Sequence, residues 1–280
     1  MATPAISVGI AECKIDGKSL GSCSNAFIDM TGVTVPIHSE KVGTAYIVPY
    51  KYAIKSINGV LSVTTEELSL AKDILVSMKK AMRGTQPETK TFSCTVPGSG
   101  GGISGSVILL PQFTISVSID GWSSITFNLP IVTSLIADAG AAPTDKVGGI
   151  YFIDTSKNKG AVTVNKNNLC CAASYGTNKV ATLELEVSSQ YSSIFRSGSA
   201  WPTDHVLESS KIIGHIGFYD FTSATAAVST EEVIDLIFTT IDGTNITYSL
   251  GDKCVKYLSG LRTSSNGVNT WLVRVEGNGF

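Results

Sequence analysis

Ile54-Lys55-Ser56-Ile57-Asn58-Gly59-Val60-Leu61-Ser62-Val63-Thr64-Thr65-Glu66-Glu67-Leu68-Ser69-Leu70-Ala71-Lys72-Asp73-Ile74-Leu75-Val76-Ser77-Met78-Lys79-Lys80-Ala81-Met82-Arg83-Gly84 passes from a strand pattern into a helix pattern. In its second half Leu68, Ala71, Ile74, Leu75, Met78 and Met82 recur at three- and four-residue spacing, which puts one apolar stripe on an α-helix. Thr64 and Glu67 have the spacing of a capping box. Glu66, Glu67 and Asp73 lie early, Lys79, Lys80 and Arg83 lie late, and Gly84 follows, each where the helix dipole and the C-cap favour it. The stretch predicts a helix over about residues 65–83 whose stripe packs on a sheet. In the first half, Val60 to Val63 predicts a strand feeding that helix. Asn58-Gly59 between β-formers predicts a two-residue hairpin, because both central residues of a type I′ turn need positive φ.

Outward from this stretch the chain reads as β-structure. Residues 1–62 are dense in Val, Ile, Thr, Ser and Gly, with short alternating runs at Ala5 to Ile10 and Ala45 to Val48. Phe113 to Leu129 alternates around Asp120-Gly121, and Leu236 to Leu250 around Asp242-Gly243, so both predict hairpins. Further strands are expected at Gly149 to Ile153, Ala161 to Val164, Ala181 to Val187, Ile212 to Tyr219 and Trp271 to Glu276. Ile119-Asp120-Gly121 leading to Ile125-Thr126-Phe127-Asn128-Leu129 echoes Ile241-Asp242-Gly243 leading to Ile246-Thr247-Tyr248-Ser249-Leu250, and Ile15-Asp16-Gly17 is a weaker third echo. A duplication and shared turn chemistry both produce such matches, and the pattern leaves both open. The expected fold class is mainly β: a β-sandwich or barrel of antiparallel strands with one flanking α-helix, its excess length a duplicated or inserted second β module. Pro97-Gly98-Ser99-Gly100-Gly101-Gly102 marks residues 97–106 as a loop or linker between an N-terminal β-plus-helix part, 1–96, and a β-rich remainder, 107–280.

Composition narrows the function. Of 280 residues 43 % are apolar and 16 % charged, too few charges to cover a monomer, so partners are expected to cover part of the surface. The formal charge of −2 and the scattered Lys and Arg give no footprint for a phosphate backbone or an anionic bilayer. The opening residues have neither the basic region nor the apolar run of a secretory signal. The longest apolar stretches, such as Val107 to Leu110 and Val233 to Phe238, fall far short of the roughly 20 residues of a spanning helix. Cys13, Cys23, Cys94, Cys170, Cys171 and Cys254 form no C-x-x-C pair and read as buried reduced thiols. The sequon Asn245-Ile246-Thr247 lies in an expected hairpin.

Catalytic patterns fail residue by residue. Of His38, His205 and His215, the last sits among strand apolars. Asp204-His205 has no G-x-S-x-G elbow to serve, since Ser99 and Ser104 both miss its spacing. Gly17-Lys18-Ser19 ends like a P-loop, but Glu12 stands where the first glycine belongs and would repel phosphate. Asp154 to Gly160 alternates oxygen ligands like a calcium loop, yet Lys159 fills the glycine slot and Asn165 stands in for the bidentate Glu. Of the carboxylate pairs Glu66-Glu67, Glu184 with Glu186, and Glu231-Glu232, the first begins the helix and the second sits on one face of a strand, and neither of these two has a flanking aromatic platform for glycoside chemistry. No catalytic, cofactor-binding or metal-ligating residue is assigned, no cofactor is expected, and an enzyme is not the expected reading.

Both ends of the chain carry a resemblance. Ile15-Asp16-Gly17-Lys18-Ser19-Leu20-Gly21, then Ala53 to Val63 leading into Thr65-Glu66-Glu67-Leu68-Ser69, and finally Val268-Asn269-Thr270-Trp271-Leu272-Val273-Arg274-Val275-Glu276-Gly277-Asn278-Gly279 resemble the tail-tube (major tail protein) and related virion proteins of tailed bacteriophages. These segments fall in the first 84 or so and the last 70 residues. The resemblance implies a β-sandwich with a flanking helix, in rings that close edge to edge, commonly as hexamers, and stack around a channel for DNA. It implies as partners copies of the chain and other virion tail proteins, and a virion location after synthesis in the host cytoplasm. In such an assembly the Gly-rich segment 97–105 and the long loop 30–48 are expected to order only on contact. The alternative expectation is a capsid decoration protein or a glycan-binding module, although Trp122, Trp201 and Trp271 are dispersed.

Overall fold

The computed structural model describes residues 11–37, 51–82, 87–95, 102–138, 146–147, 150–151, 169–264 and 267–279. The N-terminal elements are β1 (Ala11–Ile15), β2 (Lys18–Ile37), β3 (Lys51–Thr65), α1 (Leu68–Met82), β4 (Thr89–Thr95), β5 (Gly102–Ile108), β6 (Phe113–Val117) and β7 (Ser123–Ile131). A short β8 (Ile136–Asp138) pairs with β5, and β9 (Lys146–Val147) with β10 (Ile150–Tyr151) makes a separate two-stranded piece. Then come β11 (Cys170–Tyr175), β12 (Asn178–Ile194), β13 (Asp204–Phe218), α2 (Phe221–Ala226), β14 (Ser229–Thr240), β15 (Asn245–Thr263) and β16 (Asn269–Asn278). Period-two alternation drives the strands inward: along β7, Ser123, Ile125, Phe127 and Leu129 are buried while Ser124, Thr126 and Asn128 are half-buried.

Fourteen strands form one antiparallel sheet, which closes on itself twice. The first ring runs β1-β2-β3-β7-β5-β4 and returns to β1, its β5–β7 seam held by Val107 opposite Ile131. The second runs β11-β12-β13-β16-β15-β14 and returns to β11. With the helix after the third strand in each, the two rings have the same strand order. Irregularities match as well: a bulge between Cys23 and Asn25 in β2 has its counterpart between Val180 and Thr182 in β12. Phe127 and Leu129 of β7 occupy the places that Val273 and Val275 hold in β16, and all four are buried. The protein is two like six-stranded barrels in tandem.

Helix α1 seals the first barrel with Leu68, Ala71, Ile74, Leu75 and Met78, all buried. It also reaches the second: the Tyr248 hydroxyl donates to the Leu68 carbonyl, and the Lys79 ammonium to that of Ser249 at 3.5 Å. The β6–β7 turn lies against the second barrel too. A Cβ at Gly121, whose φ is 89°, would stand 2.1 Å from the Cys171 carbonyl oxygen, so this position admits only glycine.

The mainly antiparallel β fold with a flanking helix is therefore present, and both Asp-Gly hairpins form at the expected places. Asn58-Gly59 is a correction. Neither residue has positive φ; both continue β3 straight through, paired with Thr31 and Met30. Here the glycine serves closeness, since a Cβ would meet the Ile131 side chain at 3.2 Å. The capping box is also corrected: Thr64 bonds Thr126 across the sheet at 2.9 Å, Thr65 accepts from the Glu67 amide at 3.1 Å, and the helix starts at Leu68. Residues 30–37, expected within a loop, extend β2, and residues 102–106 of the Gly-rich segment belong to β5. Ala5 to Ile10, Ala45 to Val48, Ala161 to Val164, the calcium-like run at 154–160 and His38 lie outside the described residues. The echoed Ile-Asp-Gly hairpins are not equivalent: in the common strand order β14–β15 answers to β4–β5, whereas β6–β7 answers to the second half of β15 with β16.

Candidate functional site: a continuous sheet and its two end edges

The barrels are joined by β6, which pairs with β7 on one side and with β12 on the other. One sheet of eight strands, β2-β3-β7-β6-β12-β13-β16-β15, thereby runs through both barrels. A single row of directly opposed residues crosses it: Asn25, Thr64, Thr126, Thr114, Glu186, Ile213, Glu276 and Val255. Below it runs Ser124, Ser116, Glu184, His215, Arg274 and Tyr257. This outward face is hydroxyl-rich over the first barrel and mixed in charge over the second. Thr64 bonds Thr126 and Ser116 bonds Ser124 at 2.9 Å each, a ladder of hydroxyls along the sheet.

Glu184 and Glu186 are exposed on this face, on one side of β12 as their spacing requires. Arg274 donates to Glu276 at 2.5 Å and lies 3.4 Å from the His215 Nε2. Partial burial and the neighbouring Arg274 and Arg262 push the His215 imidazole below its ordinary pKa, so it is neutral at neutral pH. At the β6–β7 turn a groove of about 390 Å³ opens on the same face, lined by Ser116, Trp122, Glu184, His215, Arg262 and Leu272. Sequence reasoning missed this gathering because it takes five strands and a turn, spread over more than 150 residues of sequence, to make it.

Both ends of the eight-stranded sheet are open among the described residues. On β2 the described pairing with β1 stops at Cys23, and beyond it β3 is the one described partner. On β15, residues beyond Lys256, from Tyr257 to Thr263, have lost β14 and pair only with β16. Phe27 and Met30 on the first edge and Leu258 and Leu261 on the second are exposed apolar residues. Past the first barrel β2 and β3 continue as a two-stranded arm that carries exposed Val33, Val35 and Ile54.

The other residues singled out by the sequence are dispersed. His205 is buried, with Nδ1 3.0 Å from the Ser193 hydroxyl, but the Asp204 carboxylate accepts from the His205 backbone amide rather than from its ring. No Ser-His-Asp relay results. Gly17-Lys18-Ser19 is the β1–β2 turn. Glu67 is buried against Gly21, where a Cβ would stand 2.1 Å from its Oε1. Glu232 lies 3.3 Å from the buried Lys256 ammonium. Among the described residues no group of three or more His, Cys, Asp or Glu side chains could hold a metal ion, and no helix is long and apolar enough to cross a membrane. Neither a protein-family model nor a curated protein matches this chain.

Proposed function

We propose that the chain is a virion structural protein of a tailed bacteriophage, a tail-tube subunit whose rings stack around a channel that passes DNA. The observation that carries this reading is the unbroken eight-stranded sheet, which joins two like barrels edge to edge and, among the described residues, ends on strands left open beyond Cys23 and Lys256. A protein that already repeats one edge-to-edge junction within itself needs only to repeat it between copies to close a ring. Closure would also remove the exposed edges that otherwise invite aggregation. The polar outward face suits a lumen: its hydroxyls are uncharged, and its acids are interspersed with bases, which keeps DNA from binding tightly by counterion release. The arm with Val33, Val35 and Ile54 supplies apolar surface for the next ring.

Electron microscopy of the purified protein at rising concentration tests this. Rings or stacked tubes with a central channel are expected; a dispersed monomer at every concentration, also with virion partners added, would overturn it. One observation favours a second reading, a decoration or glycan-binding module: Trp122 stands exposed at the groove beside Glu184 and Arg262, as a sugar platform would. A dispersed monomer retained on a glycan array, and released by Trp122→Ala, would establish that reading instead.

A further inference from the structure

We infer that copies of this chain join head to tail by pairing Ala26 to Met30 of one with Leu258 to Thr263 of the next, antiparallel and in a fixed register. The inference rests on the self-assembly reading above and names its contact. Its template is the junction inside the chain, where Leu183, Glu184, Leu185, Glu186 and Val187 of β12 face Val117, Ser116, Ile115, Thr114 and Phe113 of β6.

The common strand order carries this junction onto the open edges. In β12, Val180 faces Phe218 and, after the bulge, Thr182 faces Gly217; in β2, Cys23 faces Thr65 and, after its bulge, Asn25 faces Thr64. Leu183 to Val187 therefore correspond to Ala26 to Met30. In β6, Phe113, Ile115 and Val117 face Phe127, Ile125 and Ser123; in β15, Leu258, Leu261 and Thr263 face Val273, Trp271 and Asn269. Phe113 to Val117 therefore correspond to Leu258 to Thr263, with one bulged residue between Leu258 and Gly260. Among the described residues the junction that fills both edges within the chain is missing at the two equivalent edges outside it.

Exposure agrees with this. Phe113 and Ile115 are 1 % and 0 % exposed, while their counterparts Leu258 and Leu261 are 38 % and 52 %. Val187 is 1 % exposed, and its counterpart Met30 is 50 %. Ala26 and Ile28 already pack against the core from one side. The transferred register places Ile28 opposite Leu261 and Met30 opposite Leu258 on the inner face. On the outer face Phe27 stands opposite Arg262, and Asp29 one diagonal step away, so that the guanidinium meets an aromatic face and a carboxylate. Among the described residues no strand fills either edge, and the two edges differ, so a second copy that fills them makes a heterologous contact.

Two variants separate the edges. Met30→Glu blocks the β2 edge and Leu261→Glu the β15 edge, both at exposed positions that leave the barrels intact. Each alone is expected to raise the concentration needed for assembly at least about tenfold, as loss of a central interface anchor does. Mixed, they retain one good edge each and are expected to form a one-to-one dimer that grows no further, read by native mass spectrometry. Phe27→Cys combined with Arg262→Cys tests the register: oxidised assemblies should give a ladder of covalently linked chains, absent from wild type and from Phe27→Cys combined with Tyr257→Cys. If wild type assembles while both edge variants assemble equally well and no ladder forms, this contact is wrong and self-assembly stands. If wild type never assembles, both fall.

Discussion

Ile115 and Leu261 hold equivalent places in the two barrels, one inside the intrachain junction and one on an open edge. Truncating each to alanine should therefore give opposite outcomes. Ile115 is fully buried, and its truncation removes three methylene equivalents at about 0.8 kcal/mol each, roughly 2.4 kcal/mol of transfer free energy. The cavity left between β6, β7 and β12 brings the cost to about 3–4 kcal/mol, within the range for large-to-small core changes. Leu261 loses the same atoms from a side chain already 52 % exposed, so the isolated chain should lose under about 1 kcal/mol. Urea unfolding of dispersed protein measures both, and light scattering at rising concentration measures assembly. Ile115→Ala should lower the unfolding midpoint, and Leu261→Ala should leave it nearly unchanged while weakening assembly. Equal unfolding costs would refute the reasoning, because Leu261 would then be covered within its own chain and its edge would not be open.

Two further expectations concern side chains within the barrels. Burial disfavours the charged His205 imidazole and holds its pKa below the ordinary value, so below about pH 6.5 the unfolded chain takes up a proton that the folded chain refuses. Stability should fall as pH drops through that value, by about 1.4 kcal/mol per unit of depression, and His205→Gln should lessen the fall, leaving the part that His215 contributes; a wild-type profile flat from about pH 7.5 to 5 would contradict this. Cys13 and Cys94 face each other across β1 and β4 with sulfurs 3.0 Å apart, so oxidised glutathione should convert the two thiols to a disulfide and yield two reduced glutathiones. Intact mass should fall by two hydrogens, a change that Cys94→Ser abolishes; a full thiol count after oxidation would count against the pairing.

The period of the apolar residues made α1 and both Asp-Gly hairpins legible, because these features depend on neighbours within one turn or one strand. Asn58-Gly59 misled for the same reason. Its dipeptide suits a turn, but Gly59 lies where β3 passes close to Ile131, a residue 72 positions away, and the sheet's need for closeness overrode the local preference. Thr64 could not cap a helix because its hydroxyl already served Thr126 across the sheet. The repeat of strand order was hidden more deeply. Buried positions in a barrel require only an apolar residue of suitable size, so Phe127 can answer to Val273 with little trace in the sequence. What survived was turn chemistry, and turn chemistry matched hairpins that the topology shows to be unrelated.

The candidate surface follows from where the barrels stop protecting their strands. A closed ring has no edges, and at Cys23 and Val180 the strand after each hairpin is paired on both sides. Among the described residues β2 and β12 run several residues past their pairing with β1 and β11. For β12 the excess is taken up by β6, and that is possible because the chain between β5 and β7 breaks at Leu109 to Gln112 and redirects one short strand outward. In the second barrel the same stretch is the uninterrupted β15, which stays beside β16 and, among the described residues, has no partner strand on its outer edge beyond Lys256. One junction is thus completed within the chain, and the same strand lengths present its two halves, separately, at opposite ends of the sheet. A strand paired along Ala26 to Met30 from within the same chain would stabilise a monomer and remove the surface through which copies could join.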